Sequence, residues 1–243
     1  MLTITTLAQS PELESQVDAL SDEAWPEFMH HGNMRHWGEL FTTYAAYQIL
    51  VCSPDGELMA VGHTIPLAWD GTPDDLPADM PAIMERAMRT DERANTLSAL
   101  AAMVWKKHQG SGLSRSLLQE MRRLALNCGF QALIAPVRPT LKSSYPLTSI
   151  ERYAAWLGPK GGPFDPWMRL HWRMGAEIVR TMPDALVVQG THSEWETWTG
   201  MRFPDSGAYV VPGGLQPVMI DTQTGFGRYV DPNVWMVHWI RKK

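Results

Sequence analysis

The chain has 243 residues, enough for one large domain or two small ones, and its make-up is that of an ordinary globular protein, 44% hydrophobic and 19% charged. A formal net charge of -5 argues against a general nucleic-acid binder, which needs a basic face. No stretch approaches the roughly 20 apolar residues of a membrane span, and Met1 to Thr5 lack the basic-then-apolar pattern of a secretory leader, so a cytoplasmic enzyme or binding protein is the expectation.

In chain order, Leu2 to Leu7 reads as a short first strand, and Pro11 to Phe41 as helical segments broken at Pro26 and Gly32. Tyr47 to Cys52 is rich in strand formers. The turn Ser53-Pro54-Asp55-Gly56 and a returning strand, Leu58 to Pro66, complete a hairpin. Trp69 to Pro81 is a loop and Pro81 to Arg89 a helix. Thr96 to Val104 is a continuous apolar run, as expected of a buried central strand. Gly112 to Asn127 is amphipathic, with a stripe of Leu113, Leu117, Leu118, Met121, Leu124 and Leu126 ended by Cys128-Gly129. Phe130 to Val137 is a strand, Asp165 to Met174 a helix with Pro166 in its first turn, and Ala176 to Met182 a strand after Gly175. Beyond Asp184, Trp, Gly and Pro are dense, with short strands at Ala208 to Val211 and Pro217 to Asp221. Strands alternating with helices imply a mixed α/β sheet, with residues 1–183 as the core and 184–243 as a C-terminal extension packed on the same domain, which completes the sheet and roofs the acyl or acceptor pocket; a purely structural wrap is the alternative.

The segment Gln109-Gly110-Ser111-Gly112-Leu113-Ser114 stands between a strand and a helix. Such a turn leaves backbone N–H groups unpaired at the helix start, which together with the helix dipole make an anion site. Gly110 and Gly112 let the backbone approach a pyrophosphate without a Cβ in the way, and Gln109 brings a side-chain donor. There is no GxGxxG after this strand and no Lys-Ser/Thr pair at Walker spacing. On these six residues alone a plain strand-to-helix loop fits equally well. Cys52 and Cys128 are in no CxxC or Cys/His cluster, so neither zinc nor a disulfide is expected. His30, His31 and His36 read as surface or entrance histidines rather than metal ligands. His63 reads as a packed strand residue that would meet substrate if it faces the cleft.

The stretch VWKKHQGSGLSRSLLQEM, Val104 to Met121, resembles the Q/R-x-x-G-x-G/A motif and following helix of the GNAT acyltransferase superfamily, with Ser114 where Gly or Ala is usual. The resemblance implies a mostly antiparallel central sheet flanked by helices, and acetyl-CoA or another acyl-CoA as substrate. It also implies pantetheine and thioester contacts from the backbone of Met103 and Val104, and pyrophosphate contacts from Gln109, Gly110, Ser111, Gly112, Leu113 and Ser114. In LHWRMGAEIV, His171 stands four residues before Gly175, where the family's general-acid Tyr usually stands; imidazole can replace it as a proton carrier, and a merely packed histidine is the alternative. RHWGELFTTYAAYQILV, VGHTIPLAWDGTPDDLP and RPTLKSSYP are similar to the GNAT-like domains of polyketide synthase loading modules. That similarity implies decarboxylation of a malonyl-type acyl-CoA, with Thr140 and His171 acting on the malonyl carboxylate and nascent enolate and Trp37 near the acyl group; the acceptor is small-molecule or carrier-bound. No fused carrier domain is present in the chain. A non-catalytic acyl-CoA-binding protein is the remaining alternative.

Overall fold

The computed structural model describes residues 2–89 and 93–240. Among them, nine strands form one sheet. Strands β1 (Thr3–Thr6), β2 (Ile49–Cys52), β3 (Leu58–Leu67) and β4 (Thr96–Val104) pair in order and antiparallel; β5 (Ala132–Val137) pairs parallel to β4. The hairpin turn closes as its sequence dictates, with Gly56 at φ +84° and Ser53 N–H bonded to Glu57 O. Strand β6 (Glu177–Thr191) and strand β9 (Phe226–Trp239) form a long antiparallel pair, and β9 lies between β5 and β6. Between β6 and β9 the chain makes helix α6 (His192–Thr199) and two short strands, β7 (Gly207–Tyr209) and β8 (Val218–Asp221), which pair with each other, β8 pairing in turn with the first residues of β9.

Residue 183, the expected end of the core, lies inside β6, and the C-terminal block supplies β9 to the middle of the sheet. β6 runs nine residues past the expected Met182, and α6 and β9 have no counterpart in the sequence reading. The reason is burial on both faces: β9 is buried from Tyr229 to His238 and shows no polar alternation. Its Gly227 is placed where a Cβ would stand 2.4 Å from the indole of Trp195, and its Pro232 falls where the β6–β9 register shifts.

Helices α1 (Glu14–Ala24) and α2 (Met80–Arg89) cover one face of the sheet. Helices α3 (Leu113–Asn127), α4 (Ile150–Ala154) and α5 (Pro166–Arg173) cover the other. On α3 the buried stripe is Leu113, Leu117, Leu118, Met121 and Ala125; Leu126, expected in it, is 51% exposed because it falls off the 3.6-residue period. Both α3 and α5 end on a left-handed glycine. Gly129 and Gly175 donate to the carbonyls of Leu126 and Trp172, and the following residues, Phe130 and Ala176, donate to those of Ala125 and His171. Asp165 caps α5 and, fully buried, accepts from the N–H groups of Trp167, Met168 and Leu141 and from Tyr153 OH, at 2.8 to 3.1 Å. One carboxylate thus ties the loop after β5 to the head of α5. Among the described residues no helix is long and apolar enough to cross a membrane.

Candidate active site

Strands β4 and β5 pair only at Thr96–Ala132, Leu97–Leu133 and Ser98–Ile134. Beyond Ser98, β4 runs on for six residues with no partner on that side, so the sheet opens into a cleft at the carboxyl ends of both strands. The opening is reinforced within β4. Opposite β3, Thr64 pairs with Ala99 and His63 with Ala101, so Leu100 is an extra residue, a bulge that bends β4 away from its neighbour. Ala101, Ala102 and Val104 are accordingly only half-buried in an otherwise buried strand.

The end of β4 leads directly to Gln109–Ser114. Gly110 and Gly112 take φ values of +78° and +88°, which an L side chain adopts only under strain. Leu113 is buried against the α3-side core and pins the loop to the sheet. Among the described residues the N–H groups of Gly110, Ser111, Gly112, Leu113 and Ser114 have no acceptor; the first donors into α3 are Arg115 and Ser116, both to Gly112 O. Five consecutive free donors at the head of a 15-residue helix form a concentrated anion site. Exposed Arg115 adds positive charge beside it, whereas Lys107 is engaged by Glu57 and holds that carboxyl below its usual range. Gln109 is exposed, and its Nε2 turns back to Val104 O at 3.4 Å. Met103 is buried, with its sulfur accepting from Trp25 Nε1 at 3.1 Å.

The three expected catalytic side chains are not joined: no hydrogen bond or ring contact links them among the described residues. His171 is fully buried on the α3/α5 face, held in the last turn of α5 by the Gly175 cap. Its Nδ1 lies 3.0 Å from Nε2 of His238, which projects from β9 at the level of Leu133, and Trp167 sits edge-on 4.4 Å away. Among the described residues the outer nitrogen of His171, Nε2, has no hydrogen-bond partner, nor does Nε of nearby Arg122, whereas the backbone of Met174 lies close to His238. Burial, followed by the neighbouring His238, holds His171 well below the usual imidazole range; burial and then Arg122 bring His238 to about 4. Both rings are therefore neutral at physiological pH. Trp37 lies on the opposite face, half-buried, its ring 5.5 Å from His63. Thr140 is exposed in the loop after β5.

The sequence reading passed over His238 and the buried Gln48. The latter contacts His63 Nδ1 at 2.9 Å across the β2–β3 hairpin. Their separations, 67 residues from His171 to His238 and 15 from Gln48 to His63, leave no local spacing signal. It also passed over a polar belt beyond β5, in which Asp231 receives Arg138 and Tyr229 OH, and buried Lys142 caps the carbonyls of Tyr145 and Leu215. Those groups satisfy one another and tie the β7–β8 insertion to the sheet. His31 stacks on Trp198 and pairs with Glu27, away from the cleft.

No protein-family model matches the chain. The arginine N-acetyltransferase avaD of Aspergillus versicolor is 30% identical over 247 residues, covering 88% of this chain and 84% of that protein. Among solved structures, the loading GNATL domain of CurA from Lyngbya majuscula matches with a TM-score of 0.65 at 14% identity, over 99% of this chain and 98% of that one. The GphF GNAT-like decarboxylase, solved in complex with isobutyryl-CoA, matches with a TM-score of 0.59 at 16% identity, over 99% and 100%. At those identities the two structures establish a shared fold, and the fungal relative establishes kinship: the chain belongs to the GNAT acyltransferase superfamily.

Proposed function

We propose that the chain transfers an acyl group from an acyl-CoA, acetyl-CoA being the simplest, to a nitrogen of a small basic acceptor of the arginine type. The row of five unpaired N–H groups from Gly110 to Ser114, at the end of a strand that parts from its neighbour, carries the reading. A pyrophosphate on those donors sends pantetheine along the open edge of β4 toward the bulge at Leu100. Unpaired backbone donors on that edge, the N–H of Val104 among them, then face the thioester oxygen, where negative charge develops during attack. Trp37 is assigned to the wall of the acceptor side. His171 is assigned proton handling at its unpartnered Nε2, on the side from which the thiol departs. The arginine-type acceptor is taken from the named activity of the fungal relative.

In the decarboxylating alternative the same donors hold an enolate while Thr140 and His171 orient the carboxylate; the exposure of Thr140 and the burial of His171 favour transfer. Incubation with acetyl-CoA or malonyl-CoA, with and without L-arginine, followed by mass spectrometry, tests the proposal. Acetylated arginine and free CoA are expected, with malonyl-CoA recovered intact in the absence of acceptor. Conversion of malonyl-CoA to acetyl-CoA without acceptor would establish decarboxylation instead. Binding of both thioesters with no turnover against arginine or related amines would point to a non-catalytic acyl-CoA-binding protein.

A further inference from the structure

His63 belongs to β3, opposite Ala101 and beside the bulge that opens β4. Paired residues on antiparallel strands share a face, so the His63 ring lies on the α1/α2 side with Ala101, next to the rings of Trp37 and Phe41 at 5.5 and 5.7 Å. It is 2% exposed.

Its tautomer is set by its partner. Gln48 is wholly buried, and its Nε2 donates to two carbonyls, Tyr44 O at 2.8 Å and Thr64 O at 3.0 Å. The reversed amide would put its oxygen against both of those oxygens, so the orientation is unambiguous. Gln48 Oε1 is then an acceptor. It receives Thr64 N–H at 3.3 Å, and it requires a proton on His63 Nδ1, 2.9 Å away. In the neutral ring that leaves Nε2 with a lone pair, and among the described residues Nε2 has no hydrogen-bond partner. The surroundings, Gln48, Thr64, Trp37, Phe41 and Ala101, carry no charge. A neutral imidazole with a fixed tautomer and a free lone pair, set beside the bulge that bends β4 away from its neighbour and on the face away from His171, has the form of a general base.

We propose that His63 Nε2 accepts the proton of the incoming nucleophile, and that Gln48 is the positioning residue that fixes its tautomer. The inference rests on the acyl-CoA transfer reading above. As the acceptor nitrogen bonds to the thioester carbonyl carbon, Nε2 takes its proton; the C–S bond then breaks with its electron pair leaving on sulfur, and the proton passes to the thiolate. One N–H and one C–S bond are replaced by one C–N and one S–H bond, with no other reactant.

The test combines NMR of the nitrogen-labelled full chain with kinetics of His63→Asn and His63→Ala. In the wild type at neutral pH, His63 Nε2 should resonate as an unprotonated imidazole nitrogen, and its signal should move on saturation with acetyl-CoA. Both variants should bind acetyl-CoA as the wild type does while acetyl transfer to L-arginine falls by roughly 100-fold or more, the usual scale of a lost general base. His63→Asn keeps a donor for Gln48 and so guards against a folding defect. A protonated Nε2, a His63 signal that bound acetyl-CoA leaves in place, or undiminished transfer by a folded variant would each overturn the proposal. Failure of the wild type to bind acetyl-CoA would overturn the acyl-CoA reading instead, and the NMR readout holds whichever acceptor is used.

Discussion

Replacing Gly112 by valine isolates the phosphate cradle from the rest of the fold. Gly112 caps α3 at φ +88°, and a Cβ built there meets no atom within 4 Å. The substitution is therefore opposed by backbone conformation rather than by a clash, at a cost of about 1 to 3 kcal/mol if the left-handed geometry is kept. At 2 to 4 °C per kcal/mol for a chain of this size, melting should fall by only several degrees, roughly. If the backbone instead relaxes, the N–H groups of Gly112 and Leu113 turn away from the phosphates. Each hydrogen bond to a charged group contributes about 1.5 to 3 kcal/mol, so losing two costs at least about 3 kcal/mol, on the order of 100-fold in affinity. Isothermal titration with CoA measures this directly, and melting of the same sample shows that the protein is folded. A folded Gly112→Val protein that binds CoA as tightly as the wild type would refute the assignment of the pyrophosphate to this loop.

Other consequences concern the framework around the cleft. His63, His171 and His238 are buried and held neutral, with depressed pKa values in the fold, whereas in the unfolded chain they protonate near 6.5. Unfolding therefore takes up protons as pH falls below about 6.5, down to about pH 4 for His63 and His238, and stability, complete above that window, should fall by about 1.4 kcal/mol per pH unit for each of these rings as pH drops through it, with His171 acting in the same direction; denaturant midpoints that stay level across the window would contradict the neutral rings. Asp165→Ala strands four donors, two at the head of α5 and those of Leu141 and Tyr153, and should destabilise by at least about 4 kcal/mol in chemical denaturation, since each orphaned buried donor costs about 1 to 3 kcal/mol; a loss below about 1 kcal/mol would show that water replaces the carboxylate. Gly227→Ala drives a Cβ to 2.4 Å from the fully buried Trp195 ring and should cost about 1 to 3 kcal/mol, read as a lower melting temperature. No change there would mean that the insertion between β6 and β9 packs less tightly than described.

The elements that announce themselves in the sequence are those with a local signal. The α3 stripe is visible in the spacing of Leu113, Leu117, Leu118 and Met121, its end in Gly129, and the hairpin turn in Ser53 to Gly56. The Gln109–Ser114 loop is visible because left-handed glycines and a following helix are local facts. The partners that give histidines their chemistry are not: Gln48 meets His63 only because the β2–β3 register sets them together, and His238 meets His171 only through the insertion of β9 beside β5. β9 itself escapes because a strand buried on both faces loses the alternation that marks half-buried strands, and its Gly and Pro residues resemble loop punctuation. The cleft follows from where the β4–β5 pairing stops, which no residue type encodes by itself.

The measurement that bears most directly on the central claim is thermal unfolding of the wild-type chain with and without acetyl-CoA. A ligand held by the Gly110–Ser114 donors at about 100 times its dissociation constant should add about 2.7 kcal/mol and raise the melting temperature in proportion. An unfolding transition that does not move at saturating acetyl-CoA would contradict it.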